Sequence, residues 1–262
     1  MRIKQSKTPD LKDVQAFWNG TPCNTMRTQF APGTKEFFDD IEKKRYILEP
    51  HIQSFADFPA WKGKKVLEIG CGLGTDTLQF AKVGAIVTAI DYSTSSLELA
   101  DKRAKMYGLP VTFLHADAER LSETLPKQTY DLVYSFGVLH HTSNPARAYC
   151  EVVKYMGKDS TFKLMVYHAR SLKVFQVIMR HGPRNWRKKV AYHSESKEGS
   201  PITYVYTKTE IIGLLEQCGF NIDEAEIRYL WMRWYLKWMP GPLLRWFERT
   251  FGWNLCITAS LK

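Results

Sequence analysis

Three alternating glycines between a short apolar run and an amphipathic one constrain this chain most: Val66-Leu67-Glu68-Ile69-Gly70-Cys71-Gly72-Leu73-Gly74-Thr75. The aliphatic run reads as a buried strand and the residues after Gly74 as a helix, so the glycines make a tight strand-to-helix turn. Glycine accepts the positive backbone dihedrals of such a turn, and its missing side chain lets a ligand lie against the main chain. The spacing is Gly-x-Gly-x-Gly with Glu68 ahead of it, whereas the dinucleotide fingerprint is Gly-x-Gly-x-x-Gly, which argues against a nicotinamide or flavin site. Asp91 ends the next apolar run, 21 residues beyond Gly70. A carboxylate there can accept hydrogen bonds from both hydroxyls of a ribose.

From residue 64 onward, short apolar strands alternate with amphipathic helices, the pattern of βαβ units and a parallel sheet. Strands are predicted over 66–69, 86–90, 111–114, 131–135 and 161–167, with helices over 75–83 and 95–107. Asp131 reads as a structural carboxylate opening its strand. Ahead of this domain (61–262), residues 1–60 are predicted to form a helical cap, with one helix over 35–51 carrying Phe37, Phe38, Ile41, Tyr46 and Ile47 at helical spacing. Periodicity lapses over 169–206, which reads as a mobile insertion on the substrate side. Thr207 or Thr209 then caps a helix that stops at Gly219, and 220–229 and 255–261 supply the last strands.

The glycine loop, Asp91 and two later segments together resemble the class I S-adenosylmethionine-dependent methyltransferases, in particular the small-molecule branch that includes quinone-biosynthesis enzymes. The resemblance is strong over 64–167 and looser beyond. It implies an α/β fold with a Rossmann-like seven-stranded sheet, mostly parallel with an antiparallel last strand, and helices on both faces. It also implies S-adenosylmethionine as cofactor and S-adenosylhomocysteine as product. By the resemblance, Glu68, Gly70, Cys71, Gly72 and Gly74 lie under the methionine part and ribose, Asp91 takes the ribose hydroxyls, and Tyr92 flanks the adenine. Asp117, with Ala118 and Glu119 beside it, meets the adenine amino group, and the segment from Phe136 to His141 lines the boundary between methyl donor and substrate.

Methyl transfer from a sulfonium needs an aligned nucleophile and, for many acceptors, a base with a pKa near the working pH, a description histidine fits. His141 and His140 stand at the carboxyl end of the fourth predicted strand and are the candidate catalytic residues. Tyr167 and His168, on the same rim, are the candidate substrate contacts. His181 and His193 fall in the insertion and read as surface residues. No histidine or carboxylate spacing signals a metal.

The net charge of +10 suits an anionic partner. Five of the eight tryptophans lie between Trp231 and Trp253, in a basic aromatic segment, 228–253, that suits packing on the sheet, an aromatic substrate pocket or peripheral membrane contact. The expected partner is a small molecule, aromatic or anionic, methylated on O or N. Nucleic acid or protein stands second, and a non-catalytic cofactor-binding role third. No run approaches the ~20 apolar residues of a membrane span, so a cytoplasmic protein is expected, with the five scattered cysteines as reduced thiols.

Overall fold

The computed structural model describes residues 11–20, 25, 28–193, 200–230, 236 and 238–262. In chain order its elements are α1 (Leu11–Gly20), α2 (Lys35–Leu48), α3 (His51–Ala56), β1 (Lys65–Ile69), α4 (Thr75–Lys82), β2 (Ile86–Asp91), α5 (Thr94–Met106), β3 (Val111–His115), α6 (Leu121–Thr124) and β4 (Tyr130–Phe136). There follow α7 (Pro145–Val153), β5 (Met156–His168), α8 (Leu172–His181), α9 (Trp186–His193), β6 (Val205–Tyr206), α10 (Lys208–Gln217), β7 (Phe220–Arg228), α11 (Gly241–Phe251) and β8 (Asn254–Leu261).

The strands form one sheet in the order β3-β2-β1-β4-β5-β8-β7, with β6 also paired to β5. The seven long strands and the antiparallel β8 match the expectation; β8 runs against both β5 and β7. The sheet has eight strands rather than seven, because β6 adds a two-residue parallel pairing, Tyr167 with Val205 and His168 with Tyr206. Two residues carry no periodicity, so the sequence could not announce it. Adjacent residues of each strand point to opposite faces: Leu67, Ile69 and Leu164 enter one core with Tyr149 and Ile211, while Val66, Leu132 and Met165 enter the other with Phe80 and Val174. Helices therefore cover both faces. No described helix is long and apolar enough to cross a membrane.

Asp131 opens β4 by accepting the Lys65 amide at 2.8 Å. Thr207 caps α10 in a reciprocal capping box with Glu210, and Gly219 follows its end at φ +98°.

The structure corrects three expectations. The helix predicted over 35–51 breaks at Glu49, because the residue before Pro50 is driven out of the helical region; Pro50 then starts α3. The 169–206 segment carries two helices where no periodicity was read: Ser171 caps α8, whose Val174 and Val177 are buried in the core on that face of the sheet, and α9 follows. The Ser/Glu/Lys/Gly stretch at 194–199 lies outside the described residues. Cys150 and Cys218 are joined in a disulfide with Cα atoms 4.9 Å apart, not reduced, while Cys71 and Cys256 are free and buried. Their 68-residue separation left no signal; the end of α7 meeting the end of α10 brings them together. Trp253 is buried, but Trp238 and Trp246 are exposed, and 231–235 and 237 lie outside the described residues.

The N-terminal helices hold the glycine turn. Phe37, Phe38 and Ile41 of α2 are buried with Leu73 of the turn, each contributing about 1.5–3 kcal/mol by burial. Arg103 of α5 is fully buried and ties the two together, donating to Thr75 Oγ1 at 2.8 Å and Glu42 Oε2 at 2.6 Å.

Candidate functional site

One cavity of about 260 Å³ opens at the carboxyl ends of β1, β2, β4 and β5, the edge where open α/β sheets bind ligands. One lobe is the glycine turn with Asp91 and Asp117; the other is walled by Phe136, His141, Met165, Tyr167, Tyr229 and Trp253.

In the first lobe the turn is pinned to β2, with the Gly70 and Cys71 amides donating to the Ile90 carbonyl at 2.8 and 3.0 Å. A side chain on Gly70, at φ +81°, would place its Cβ 2.3 Å from Val138 Cγ2, so the turn at Val138 presses on the bare backbone. At Gly72 a Cβ would meet nothing within 4 Å. Gly72 thus offers the open backbone, and Gly70 the close approach. Gly74 does not line the cavity; it starts α4 against Ala100 of α5. The Asp91 carboxylate accepts the Gly72 and Ser93 amides, both at 2.8 Å. Burial raises its pKa, and those amide hydrogen bonds oppose the rise. Tyr92 lines the cavity and stacks on His115, centroids 5.6 Å apart.

Asp117 and Ala118 line the same lobe. Asp117 accepts the Glu119 amide at 2.8 Å, and burial raises its pKa. Glu119 does not line the cavity: it is buried, with its carboxylate accepting from Ser143 Oγ at 2.6 Å and the Asn144 amide at 2.8 Å, so it braces the turn after β4. Glu68 lines the floor and accepts from Thr77 Oγ1; burial and then Asp76 push its carboxyl well above the usual range.

Asp76, in the first turn of α4, is a buried hub. Arg45 of α2 donates to both its oxygens at 3.1 and 2.7 Å, and the Tyr46 and Tyr134 hydroxyls donate at 2.9 and 3.1 Å. Burial alone would depress the Arg45 pKa, yet the Asp76 charge raises it well above its ordinary value. Arg45 also lies 5.4 Å from the Phe136 ring centroid, and both residues line the cavity.

In the second lobe the two histidines part company. His141 lines the cavity, and its Nδ1 donates to the Ile202 carbonyl at 2.8 Å, with Thr203 Oγ1 at 3.1 Å. In that tautomer Nε2 carries the lone pair. His140 is fully buried outside the cavity, its ring 4.2 Å from those of His141 and Tyr167, and burial followed by the neighbouring His141 lowers its pKa well below the ordinary value. Its carbonyl accepts the Tyr204 amide at 2.9 Å. Tyr167 lines the cavity and stacks on Trp253 at 4.1 Å. His168 lies outside it, with Nδ1 donating to the Gly252 carbonyl at 3.1 Å.

Sequence reasoning missed Trp18, Arg45, Glu49, Lys173, Tyr229 and Asn254, all of which line the cavity. Trp18 comes from α1 and stands 5.6 Å from the His141 ring. No local motif marks any of them. For Asn254, the signal within reach was its place at the start of the last strand.

Residues 66–159 match the family described as Methyltransferase domain. A ubiquinone biosynthesis O-methyltransferase from Photorhabdus laumondii is 40% identical over 83 residues, which are 32% of this chain and 34% of that protein. The match thus spans about a third of that relative. A protein of the same description from Ruegeria sp. is 28% identical over 208 residues, 76% of this chain and 74% of that one. Among solved structures, the magnesium protoporphyrin IX methyltransferase of Synechocystis superposes with a TM-score of 0.64 at 16% identity, covering 97% of this chain and 100% of the other. At that identity the likeness is one of fold.

Proposed function

We infer, from the methyltransferase domain at residues 66–159, that this protein is an S-adenosylmethionine-dependent methyltransferase acting on an oxygen or nitrogen of a small molecule. The observation that carries the reading is Asp91. Its carboxylate is held by two backbone amides at the end of β2, beside the open backbone of Gly72, on the wall of the cavity. That arrangement offers fixed acceptors to a pair of ribose hydroxyls. Asp117 and Tyr92 offer a polar group and a ring face for the adenine, and Glu68 closes the floor beneath the amino-acid part.

When bound, S-adenosylmethionine supplies a methyl group already activated on a cationic sulfur. The chain's own residues then have three tasks. The aromatic wall of Phe136, Tyr167, Tyr229 and Trp253 holds the acceptor and excludes water. The Arg45–Asp76 pair fixes α2 against the first turn of α4, which keeps the two lobes in register; alignment of this kind is worth several kcal/mol. His141 takes the proton of the acceptor group at Nε2, since its Nδ1 proton is engaged by Ile202. The division of His140 and His141 between packing and cavity supports assigning the base to His141 alone.

The test supplies methyl-labelled S-adenosylmethionine with three separate fractions: small metabolites, RNA and protein. Label is expected in the small-metabolite fraction, with the rate reduced by about two to four orders of magnitude in His141→Ala and cofactor affinity unchanged. Label in RNA or protein overturns the small-molecule reading. Cofactor binding without transfer to any fraction means a non-catalytic module.

A further inference from the structure

Asn254 holds a buried hydrogen-bond acceptor that has no partner among the described residues. It opens β8, opposite Tyr167 on β5 and Arg228 on β7, and this register sets it on the cavity wall between the tips of three strands. The residue is 1% exposed. The amide nitrogen donates to His51 Nε2 at 3.0 Å and reaches Glu49 Oε1 at 3.4 Å. The carbonyl oxygen, Oδ1, has no hydrogen-bond partner among the described residues.

The amide cannot simply turn round to use that oxygen. An ionised carboxylate only accepts, so Glu49 requires the nitrogen to face it. His51 Nε2 faces the same nitrogen and accepts from it; burial, then the charges of Arg228 and Arg45, push the His51 pKa down to about 4, so the ring is neutral and has an acceptor nitrogen to offer. The His51 ring is itself fixed between Tyr229, stacked at 5.5 Å, and Phe136 at 5.9 Å. Two acceptors on α2 and α3 thus orient the amide and leave Oδ1 as its one uncommitted polar atom. A buried acceptor left unsatisfied is destabilising, a cost that a bound donor removes.

Building on the methyltransferase reading, we propose that Asn254 anchors the acceptor molecule, its Oδ1 taking a hydrogen bond from an O–H or N–H on a compound whose apolar, planar body lies against Phe136, Tyr229 and Trp253. Glu49 and His51 are positioning residues that act through the amide. A site of this kind discriminates strongly against a ligand of the same shape that lacks the donor, because its buried acceptor is then left unpaired.

Phenol and anisole form the probe pair, since anisole replaces the O–H by a methyl ether. Each is titrated into protein saturated with S-adenosylhomocysteine, and tryptophan fluorescence reports occupancy of the wall that includes Trp253. The wild type is expected to prefer phenol at least tenfold, and Asn254→Leu to lose that preference while binding S-adenosylhomocysteine within twofold of wild type. Asn254→Ala serves if leucine unfolds the start of β8, and His51→Phe, which frees the amide to turn, is expected to narrow the preference without abolishing it. Equal binding of the two probes by the wild type, or a preference that survives in both Asn254 variants, overturns the proposal. The same titrations on protein without S-adenosylhomocysteine decide the Asn254 question independently. Failure of S-adenosylhomocysteine to bind would count against the methyltransferase reading instead.

Discussion

Arg45→Ala is expected to destabilise the protein by about 3–5 kcal/mol, the cost of leaving a buried charge without its partner. Asp76 is 3% exposed at its side chain, and Arg45 supplies two of its four hydrogen bonds and its only cationic partner among those contacts. The remaining donors, the Tyr46 and Tyr134 hydroxyls, are neutral and cannot balance the carboxylate. For a chain of this size the loss corresponds to a fall in Tm on the order of 10 °C, read by thermal unfolding. Arg45→Lys keeps the charge but not the two-pronged geometry and is expected to fall between wild type and alanine. A loss in Arg45→Ala of under about 1 kcal/mol, the range of a solvent-screened surface pair, would show that water reaches Asp76.

Gly70→Ala is expected to damage the cofactor lobe more than any other single methyl added to the glycine turn. Two costs add. A left-handed backbone costs an L-residue about 1–2 kcal/mol, and the new Cβ would sit 2.3 and 2.4 Å from the two Val138 methyls. Something must move, and either choice harms the site: the turn lifts away from the Ile90 carbonyl, or Val138 retreats and carries the His141 turn with it, since the His141 amide donates to the Val138 carbonyl at 2.8 Å. Cofactor affinity should fall at least tenfold, about 1.4 kcal/mol. Adding Val138→Ala removes the collision but not the backbone strain, so the double variant should recover part of the affinity. Gly72→Ala, which meets no protein atom but sits at φ +53°, should carry the backbone strain of about 1–2 kcal/mol without the collision and weaken binding less than Gly70→Ala.

The lobe around Asp91 was legible in the sequence because it is local. Strand, glycine turn and helix follow one another between Val66 and Lys82, Asp91 ends β2 and Asp117 follows β3 by two residues, so one rule about strand ends locates all three. Where neighbours in the chain part company, the rule fails. His140 and His141, Tyr167 and His168, and Ala118 and Glu119 are adjacent pairs, and one member of each lines the cavity while the other turns into the structure. Sequence placed both members on the rim; only packing decides which faces inward.

The second, aromatic lobe was less legible because it is assembled from distant parts. Arg45 and Glu49 come from α2 and its end, Lys173 from α8, and Asn254 from the antiparallel β8. Their convergence depends on Pro50 ending one helix early and on α8 forming where periodicity had been read as lost. Cys150 and Cys218 teach the same lesson: their bond follows from two helix ends meeting, which no spacing encodes.

The central claim is that the lobe around Asp91 holds S-adenosylmethionine, and calorimetric titration of S-adenosylmethionine and S-adenosylhomocysteine into the wild type and Asp91→Ala tests it most directly. Micromolar binding of both by the wild type, weakened at least tenfold, about 1.4 kcal/mol, when the carboxylate held by Gly72 and Ser93 is removed, is the expected result. A folded wild type that binds neither, or an Asp91→Ala variant that binds both as tightly as wild type, would contradict it.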